Sequence, residues 1–277
     1  MYGSKAKMNK TSTRSEVIDK LLNGGIENDI ITTIFGPAGS GKTNICIMTA
    51  INISKNGKKA IYIDSENNFS VERLKQIESD DYKKVLDNII FLRPVNFKEQ
   101  KEDFKKLKNI IDNNIGIVIV DTISMLYRLE IGQSNNIYEV NRELGQQISS
   151  LSEITRKKNI PVLITNQVYQ SFEEKEKVNI VGGDILKYGS KCLIELQKYR
   201  NSLRKAILRK HRSIKEEKEV VFKIVETGLE EHEETSDNSN AFNDENHEKR
   251  GPDTEDNNEF NNKVKAKKKT YRNNSII

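Results

Sequence analysis

Cysteine is scarce in this sequence: only Cys46 and Cys192 occur among 277 residues. The two lie far apart, and neither a CxxC pair nor a Cys/His cluster occurs, which excludes the common zinc signatures. No apolar stretch reaches the roughly 18 residues that a membrane-spanning helix needs. The N-terminal residues also lack the apolar stretch of a secretory signal. These absences favour a cytoplasmic chain with two packed thiols and no membrane partner.

Hydrophobic residues are also few, at 35% of the chain against 31% charged residues, so part of the length is expected to lie outside a packed core. Acidic side chains dominate residues 230–259 and basic ones dominate 263–272. This composition predicts a disordered tail over 230–277, and the polar, basic residues 1–14 predict a disordered lead-in. The folded core is therefore assigned to 15–229.

The net charge is +5, and the basic excess of the core is larger once the acidic part of the tail is set aside. A basic core suits an anionic partner, with nucleic acid as the first candidate. A lysine-rich surface that only keeps the chain in solution explains the same charge. The charge alone does not separate these two interpretations.

Strand and helix patterns alternate along the core. Short apolar runs predict strands at 30–35, 60–64, 89–92, 117–120 and 161–165, with helices between them. This alternation predicts an α/β fold with a mostly parallel sheet and helices on both faces. Three later runs without intervening helices predict antiparallel strands at the C-terminal edge, at 192–196, 206–208 and 220–225. The polar stretch 168–181 between the two regions predicts a mobile loop.

A phosphate-binding loop follows the first predicted strand. The pattern G-x-x-x-x-G-K-[ST] is met by Gly36, Pro37, Ala38, Gly39, Ser40, Gly41, Lys42 and Thr43. Glycines allow backbone N–H groups to converge on phosphate oxygens at the start of the next helix. The Lys42 ammonium is expected to bind the β- and γ-phosphates, and the Thr43 hydroxyl to ligate Mg²⁺. The loop predicts ATP and Mg²⁺ as ligands; the alternative is a glycine-rich turn without nucleotide.

Polar residues at strand ends are candidates for the chemistry around the nucleotide. Asp121 ends an apolar strand run, where a carboxylate holds the water shell of the metal ion, and a helix N-cap is its alternative role. Glu66 is a candidate to orient the attacking water, with Asp64 as a rival. Gln167 is a candidate sensor of the γ-phosphate. For Glu66 and Gln167 the alternative is an ordinary exposed polar residue.

The order and spacing of further motifs resemble the RecA/Rad51/RadA recombinases. The matching stretches include Tyr62-Ile63-Asp64-Ser65-Glu66 with Phe69, Glu72-Arg73-Leu74, Val120-Asp121, Leu126-Tyr127-Arg128, Thr165-Asn166-Gln167-Val168 and Gly182-Gly183-Asp184. Together they cover about 15–229. The chain looks most similar to the short archaeal paralogues of this family. The resemblance implies a RecA-like P-loop NTPase core.

The resemblance also implies roles for particular residues. Glu66 falls on the family's water-activating glutamate, Arg73 on an arginine that packs near the adenine, and Gln167 on the γ-phosphate sensor. The family's two DNA-binding loops correspond to the segment with Arg128 and to 168–181, with Lys175 and Lys177.

Departures from the family pattern change the expected function. Full recombinases carry a helix-hairpin-helix domain and a Phe-x-x-Ala polymerisation motif before the core. Here only a short segment precedes the core. The one Phe-x-x-Ala match runs from Phe35 to Ala38 and belongs to the phosphate loop. The resemblance therefore implies an accessory, DNA-binding ATPase of recombination and repair with weak hydrolysis. The implied partners are single-stranded or branched DNA, a RadA-type recombinase and a Holliday junction resolvase, and a homodimer is one expected assembly.

The basic run Arg209-Lys210-His211-Arg212 admits three roles. In the first, Lys210 or Arg212 acts on the γ-phosphate bound by a neighbouring subunit, as in related ATPases. In the second, the run binds DNA phosphates. In the third, it is only a solvated strand end. Two further functions stay open on sequence: an autonomous filament-forming recombinase, and a KaiC-like signalling ATPase that binds protein partners.

Overall fold

A nine-stranded sheet, built within the described residues 9–170 and 178–233, organises the fold. The strands of this computed structural model are β1 (Lys10–Thr11), β2 (Ile26–Glu27), β3 (Ile31–Phe35), β4 (Lys59–Asp64), β5 (Ile89–Leu92), β6 (Ile115–Asp121), β7 (Val162–Asn166), β8 (Val168–Gln170), β9 (Val178–Ile180), β10 (Cys192–Lys198), β11 (Arg204–Lys210), β12 (Glu219–Val225) and β13 (Gly228–Glu231). The helices are α1 (Glu16–Leu21), α2 (Lys42–Lys55), α3 (Val71–Ile77), α4 (Tyr82–Asp87), α5 (Phe97–Ile110), α6 (Ser124–Gln133), α7 (Ile137–Lys158) and α8 (Gly183–Gly189). None of the helices in these ranges is long and apolar enough to cross a membrane.

The strand order of the large sheet is β13-β12-β11-β10-β3-β7-β6-β4-β5. Neighbours from β10 to β5 pair in parallel, and β11, β12 and β13 are antiparallel to their neighbours. The fold predicted from the alternation of strands and helices is therefore confirmed: a mostly parallel sheet flanked by helices, with antiparallel strands at its C-terminal end.

Strand β10 differs from the prediction in one of its two pairings. The sequence predicts an antiparallel addition, whereas β10 pairs in parallel with β3, with Ile194 opposite Ile34. The helix α8 precedes β10 and returns the chain to the end of the sheet where β3 begins, so that Lys191 N donates to Ile31 O at 3.1 Å. Short connections without a crossover follow β10, and they make β11, β12 and the unpredicted β13 antiparallel.

Apolar side chains cover both faces of the sheet. Along β6, Ile117 and Ile119 belong to the apolar cluster that includes α2, and Val118 and Val120 belong to the cluster that includes α5 and α7. All four side chains are fully buried. Since successive residues of a strand point to opposite faces, burial on both sides explains an apolar run that stays unbroken until Asp121.

The N-terminal segment packs onto the core. Residues 10 and 11, which the sequence assigns to the lead-in, form β1 and pair antiparallel with β2. Asp19 of α1 holds this segment because its carboxylate accepts a hydrogen bond from the Ser12 hydroxyl. Ser15 caps α1, and its side chain accepts a hydrogen bond from Ile18 N.

The stretch 168–181, predicted as a loop, contains a hairpin at its ends. Strands β8 and β9 pair antiparallel, with Val168 opposite Ile180. The sequence did not reveal them because strands of three residues are too short to show an alternating pattern. Lys175 and Lys177, between the two strands, lie outside the described residues.

Candidate nucleotide-binding site

The phosphate-binding loop connects β3 to α2, as the sequence predicts. α2 begins at Lys42, and Gly41 before it has a φ of 106°, in the left-handed region that favours glycine. Gly36 packs so closely against β10 that a Cβ atom there would lie 2.3 Å from the Leu196 carbonyl oxygen. These glycines permit the tight backbone turn that a phosphate cradle at a helix N-terminus requires.

Lys42 is held by the backbone of its own loop. Its Nζ donates hydrogen bonds to the carbonyl oxygens of Gly36 at 2.8 Å and of Pro37 at 2.9 Å. Burial lowers the pKa of Lys42, and the nearby carboxylates of Asp121 and Glu66 oppose that shift. The lysine thus places one positive charge at a fixed position in the loop.

A cavity of about 410 Å³ opens beside the loop, at the carboxyl ends of the parallel strands. Its lining brings together residues that the sequence predicts for the site: loop residues including Lys42 and Thr43, then Glu66 and Gln167. The structure adds four lining residues that the sequence did not indicate, which are Asn44, Asn68, Thr122 and Ile224. Ligands of open α/β sheets bind at this edge, in agreement with the predicted position of the site.

A larger cavity of about 550 Å³ lies at the opposite end of the parallel strands. It is lined by residues that begin or precede strands, such as Lys58 and Ile115, and by residues at the C-terminal ends of α2 and α7. Helix C-termini carry partial negative charge, which the lysines of this cavity offset. The smaller cavity has the features that suit a phosphate group, because a helix N-terminus and Lys42 meet there.

Asp121 ends β6 as predicted, and only 1% of its surface is exposed. Each carboxylate oxygen accepts a hydrogen bond from a hydroxyl: Oδ2 from Tyr62 at 2.9 Å, and Oδ1 from Thr165. The alternative role as a helix cap is excluded, because the N-cap of α6 is Ile123. The sequence did not indicate these roles of Tyr62 and Thr165, although a hydroxyl within an otherwise apolar strand was a signal that could have found them.

The surroundings of Asp64 and Glu66 show which of the two carboxylates faces the cavity. Asp64 is 2% exposed, and its oxygens accept hydrogen bonds from the backbone N–H groups of Asn68 at 2.9 Å and Phe69 at 3.2 Å. Burial raises the pKa of Asp64, and these two hydrogen bonds oppose the shift. Asp64 therefore holds the turn after β4, whereas Glu66 lines the cavity.

Glu66 accepts hydrogen bonds from side-chain amides on two sides. Its Oε1 accepts from Gln167 Nε2 at 2.7 Å, and its Oε2 accepts from Asn68 Nδ2 at 2.6 Å. Glu66 and Gln167 follow β4 and β7, the strands on either side of β6, so the sheet unites residues that are 101 positions apart. The pair lies across the cavity lining from the phosphate loop, where a carboxylate can accept a proton from water.

The residues at this cavity fit ATP with Mg²⁺. Loop residues including Gly39 and Gly41 line the cavity at the N-terminus of α2, which suits phosphate, and the Thr43 hydroxyl suits a hard cation. Within the described ranges no group of three or more His, Cys, Asp or Glu residues is able to hold a metal ion by itself.

Comparison with known protein families gives a match over most of the chain. A family model described as Rad51 matches residues 4–232. The chain belongs to the Rad51 family. Rad51 proteins bind ATP, typically with Mg²⁺, and the match confirms the RecA-like fold that the motifs imply.

Relatives in the Rad51 family bear the name "DNA repair and recombination protein RadB". The protein of Methanococcus maripaludis is 45% identical over 215 residues, which cover 77% of this chain and 97% of the relative. That of Methanobrevibacter smithii is 42% identical over 218 residues, covering 76% and 92%. A solved structure, "Crystal structure of the RadB recombinase", has a TM-score of 0.69 and 36% identity, covering 80% of this chain and 100% of that chain. The predicted resemblance to a short archaeal paralogue is thereby confirmed.

Arg73 ties two helices to the β12–β13 turn, a role that resemblance to the Rad51 family did not imply. Its guanidinium donates to the carbonyl oxygens of Val225 at 2.6 Å and Glu226 at 3.0 Å. Nε also donates to Asn44 Oδ1 on α2 at 2.6 Å. Burial lowers the pKa of Arg73. The contact of Arg73 with adenine stays a prediction.

Lys210 and Arg212 have partners within the chain. Lys210 Nζ donates to two carbonyl oxygens at the C-terminal end of α8, at 2.7 and 2.8 Å. Arg212 pairs with two carboxylates: Nε lies 2.6 Å from Glu27 Oε2, and Nη2 lies 2.6 Å from Asp29 Oδ1. A role on DNA or on a neighbour's nucleotide would require these contacts to break, and it stays a prediction.

Arg128 is exposed to solvent on α6. The adjacent Leu129 is exposed as well, at 49% of its surface. Arg128 and Arg212 are both exposed to solvent, but Arg212 is held by the carboxylates of Glu27 and Asp29.

Proposed function

We propose that this chain is a weak ATPase that binds ATP with Mg²⁺ and acts as an accessory, DNA-binding protein in recombination and repair. The observation that carries the proposal is the hydrogen bond between Glu66 and Gln167, which sets a carboxylate and an amide beside the phosphate loop in one cavity. Similarity to RadB over nearly the whole length of those relatives supports the biological role.

Nucleotide binding depends on the loop and the residues next to it. The N–H groups of the loop bind phosphate oxygens, and the Lys42 ammonium, which lies at the Gly36 and Pro37 carbonyls, exchanges these partners for the β- and γ-phosphates. Thr43 and Asp121 are the residues that would hold Mg²⁺, the first directly and the second through water. The bound cation supplies neutralisation of the phosphate charge.

Hydrolysis depends on Glu66. Its carboxylate lines the cavity and accepts a proton from the water that attacks the γ-phosphate. Gln167 holds the Oε1 atom of this carboxylate and reaches the γ-phosphate from the end of β7. The amide of Gln167 therefore links the nucleotide to the start of the β8–β9 hairpin, one residue later.

DNA binding is proposed at the same edge of the sheet, through Arg128 on α6 and through the β8–β9 hairpin with Lys175 and Lys177. Exposure of Arg128 and the basic excess of the chain support this. The proposed protein partners are a RadA-type recombinase and a Holliday junction resolvase, the proposed location is the cytoplasm, and a homodimer is the proposed assembly.

Binding measurements test the nucleotide part of this function. We expect ATP to bind in the presence of Mg²⁺ and the Lys42→Ala variant to bind about 10- to 100-fold more weakly, because it lacks a charged hydrogen-bond donor. Arg156→Ala, a change on the exposed face of α7, is the matched control and should bind as the wild type does. Equal ATP affinity of wild type and Lys42→Ala would overturn the assignment of the site.

Strand-exchange and DNA-binding assays test the accessory role. The wild-type chain alone should form few joint molecules, and it should bind DNA with an affinity that falls steeply between about 50 and 200 mM salt. Arg128→Ala should weaken DNA binding and reduce the salt dependence by about one phosphate contact. Efficient joint-molecule formation without a second recombinase would contradict the accessory role and favour the autonomous recombinase.

A further inference from the structure

The Asp121 carboxylate accepts hydrogen bonds from two buried hydroxyl groups. Tyr62 is fully buried on β4, and its hydroxyl donates to Asp121 Oδ2 at 2.9 Å, while Thr165 on β7 donates to Oδ1. β4 and β7 flank β6, so one hydroxyl reaches the carboxylate from each side. A buried carboxylate that lacked such donors would be unfavourable in its charged form, because burial removes its water.

The ring of Tyr62 is fixed in place by other aromatic rings. Phe69 meets it edge-on with ring centroids 5.2 Å apart, and Phe91 lies at 5.7 Å. Cys46 on α2, the helix that carries Lys42 and Thr43, belongs to the same buried apolar cluster as Tyr62. These contacts hold the buried ring, and with it the hydroxyl that donates to Asp121.

We propose that Tyr62 is a positioning residue for the metal site: its hydroxyl fixes the Asp121 carboxylate in the orientation that serves the water shell of Mg²⁺ at Thr43. The proposal rests on the nucleotide-binding function proposed above. A tyrosine that only fills the core also needs a partner for its hydroxyl. Here the partner is the acidic residue assigned to the metal, and Thr165 secures its other oxygen, so the two hydroxyls define one orientation.

The Tyr62→Phe variant tests this role because it removes one oxygen atom and keeps the ring. Binding of ADP is measured with EDTA and over a Mg²⁺ titration, and Mn²⁺ in the protein–ADP complex is followed by electron paramagnetic resonance. We expect metal-free ADP affinity to stay within about twofold of wild type, and the metal concentration at half-saturation to rise about tenfold, since the lost hydrogen bond is to a charged group.

Three further variants separate positioning from packing. Thr165→Val removes the other hydroxyl and should shift the metal titration in the same direction. Tyr82→Phe, in α4 away from the cavity, is the matched control and should leave the titration unchanged. In the Asp121→Asn background, Tyr62→Phe should add no further shift, because the residue through which it acts has already lost its charge.

The outcomes are distinct. A metal titration of Tyr62→Phe that equals wild type overturns the proposal, and so does an additive effect in the Asp121→Asn background. Equal losses of metal-free and metal-dependent ADP binding also overturn it, since they indicate general damage to the fold. If wild type binds no nucleotide under any condition, the proposed function itself fails, and that result is read from wild type alone.

Discussion

Asn68 contributes two separate groups to the site, and they serve different partners. Its backbone N–H donates to Asp64 Oδ1, which holds the turn after β4. Its side-chain amide donates to Glu66 Oε2 at 2.6 Å. Since the two hydrogen bonds are independent, removal of the side chain leaves the turn in place. The effect of the amide on Glu66 can therefore be measured by itself.

We expect Asn68→Ala to lower kcat for ATP about three- to tenfold with KM unchanged, because one hydrogen bond that orients Glu66 is worth about 0.5–1.5 kcal/mol. Asn68→Asp should lower kcat further, since it sets a second negative charge beside Glu66. Steady-state hydrolysis of ATP measures both. A rise in KM at constant kcat would instead show that Asn68 binds the nucleotide itself.

Among the structural elements, the β12–β13 turn lies beside the cavity and is held by hydrogen bonds from helix α3. Arg73 on α3 donates to carbonyl oxygens of this turn, and Ile224, which lines the cavity, comes just before Val225 at the end of β12. The position of one wall of the cavity thus depends on a hydrogen-bonded contact between α3 and the turn.

Arg73→Met should therefore lower the free energy of unfolding by about 1–3 kcal/mol, because it removes charged hydrogen bonds to partly buried carbonyl oxygens, and should also weaken ATP binding. Urea unfolding and ATP titration measure the two effects. Arg142→Met is the control, because the Arg142–Glu139 pair is an exposed ion pair on α7 of little value to stability. Weaker ATP binding at unchanged stability would instead support contact between Arg73 and adenine.

The same elements show what the sequence is able to predict. The phosphate loop, the strand end at Asp121, the position of Glu66 just after β4, and the alternation of strands and helices are local patterns, and the structure has them where they were expected. The parallel pairing of β10 depends on the path of α8, and the partners of Arg73 and Lys210 are distant in sequence, so no local pattern contains them.

At the scale of the whole molecule, His211 brings the segment after β11 into contact with β2, near the start of the described chain. Its buried side chain lies 3.8 Å from Glu27 Oε1 of β2, measured from Nε2. Its Nδ1 accepts hydrogen bonds from the backbone N–H groups of Ser213 at 3.1 Å and Ile214 at 3.2 Å, which requires an unprotonated Nδ1. Burial lowers the pKa of His211, and Glu27 opposes the shift.

This arrangement predicts a pH-dependent stability. Because the pKa of His211 is lowered on folding, the unfolded chain binds the proton more readily, so the stabilisation is complete above the unfolded pKa of 6.5 and is lost as the pH falls below it. Thermal melts from pH 8 to pH 5.5 should show a falling Tm that is reduced in His211→Gln. His232→Gln is the control; if it flattens the curve as much as His211→Gln does, this explanation is wrong.

The bond between Gln167 and Glu66 has a thermodynamic corollary. Gln167 directly precedes Val168, the first residue of β8. A partner that moves the hairpin therefore also moves the Gln167 amide, which donates a hydrogen bond to the Glu66 carboxylate. Thermodynamic linkage makes this effect reciprocal. If a ligand bound to the hairpin changes the affinity for nucleotide by some factor, bound nucleotide changes the affinity for that ligand by the same factor.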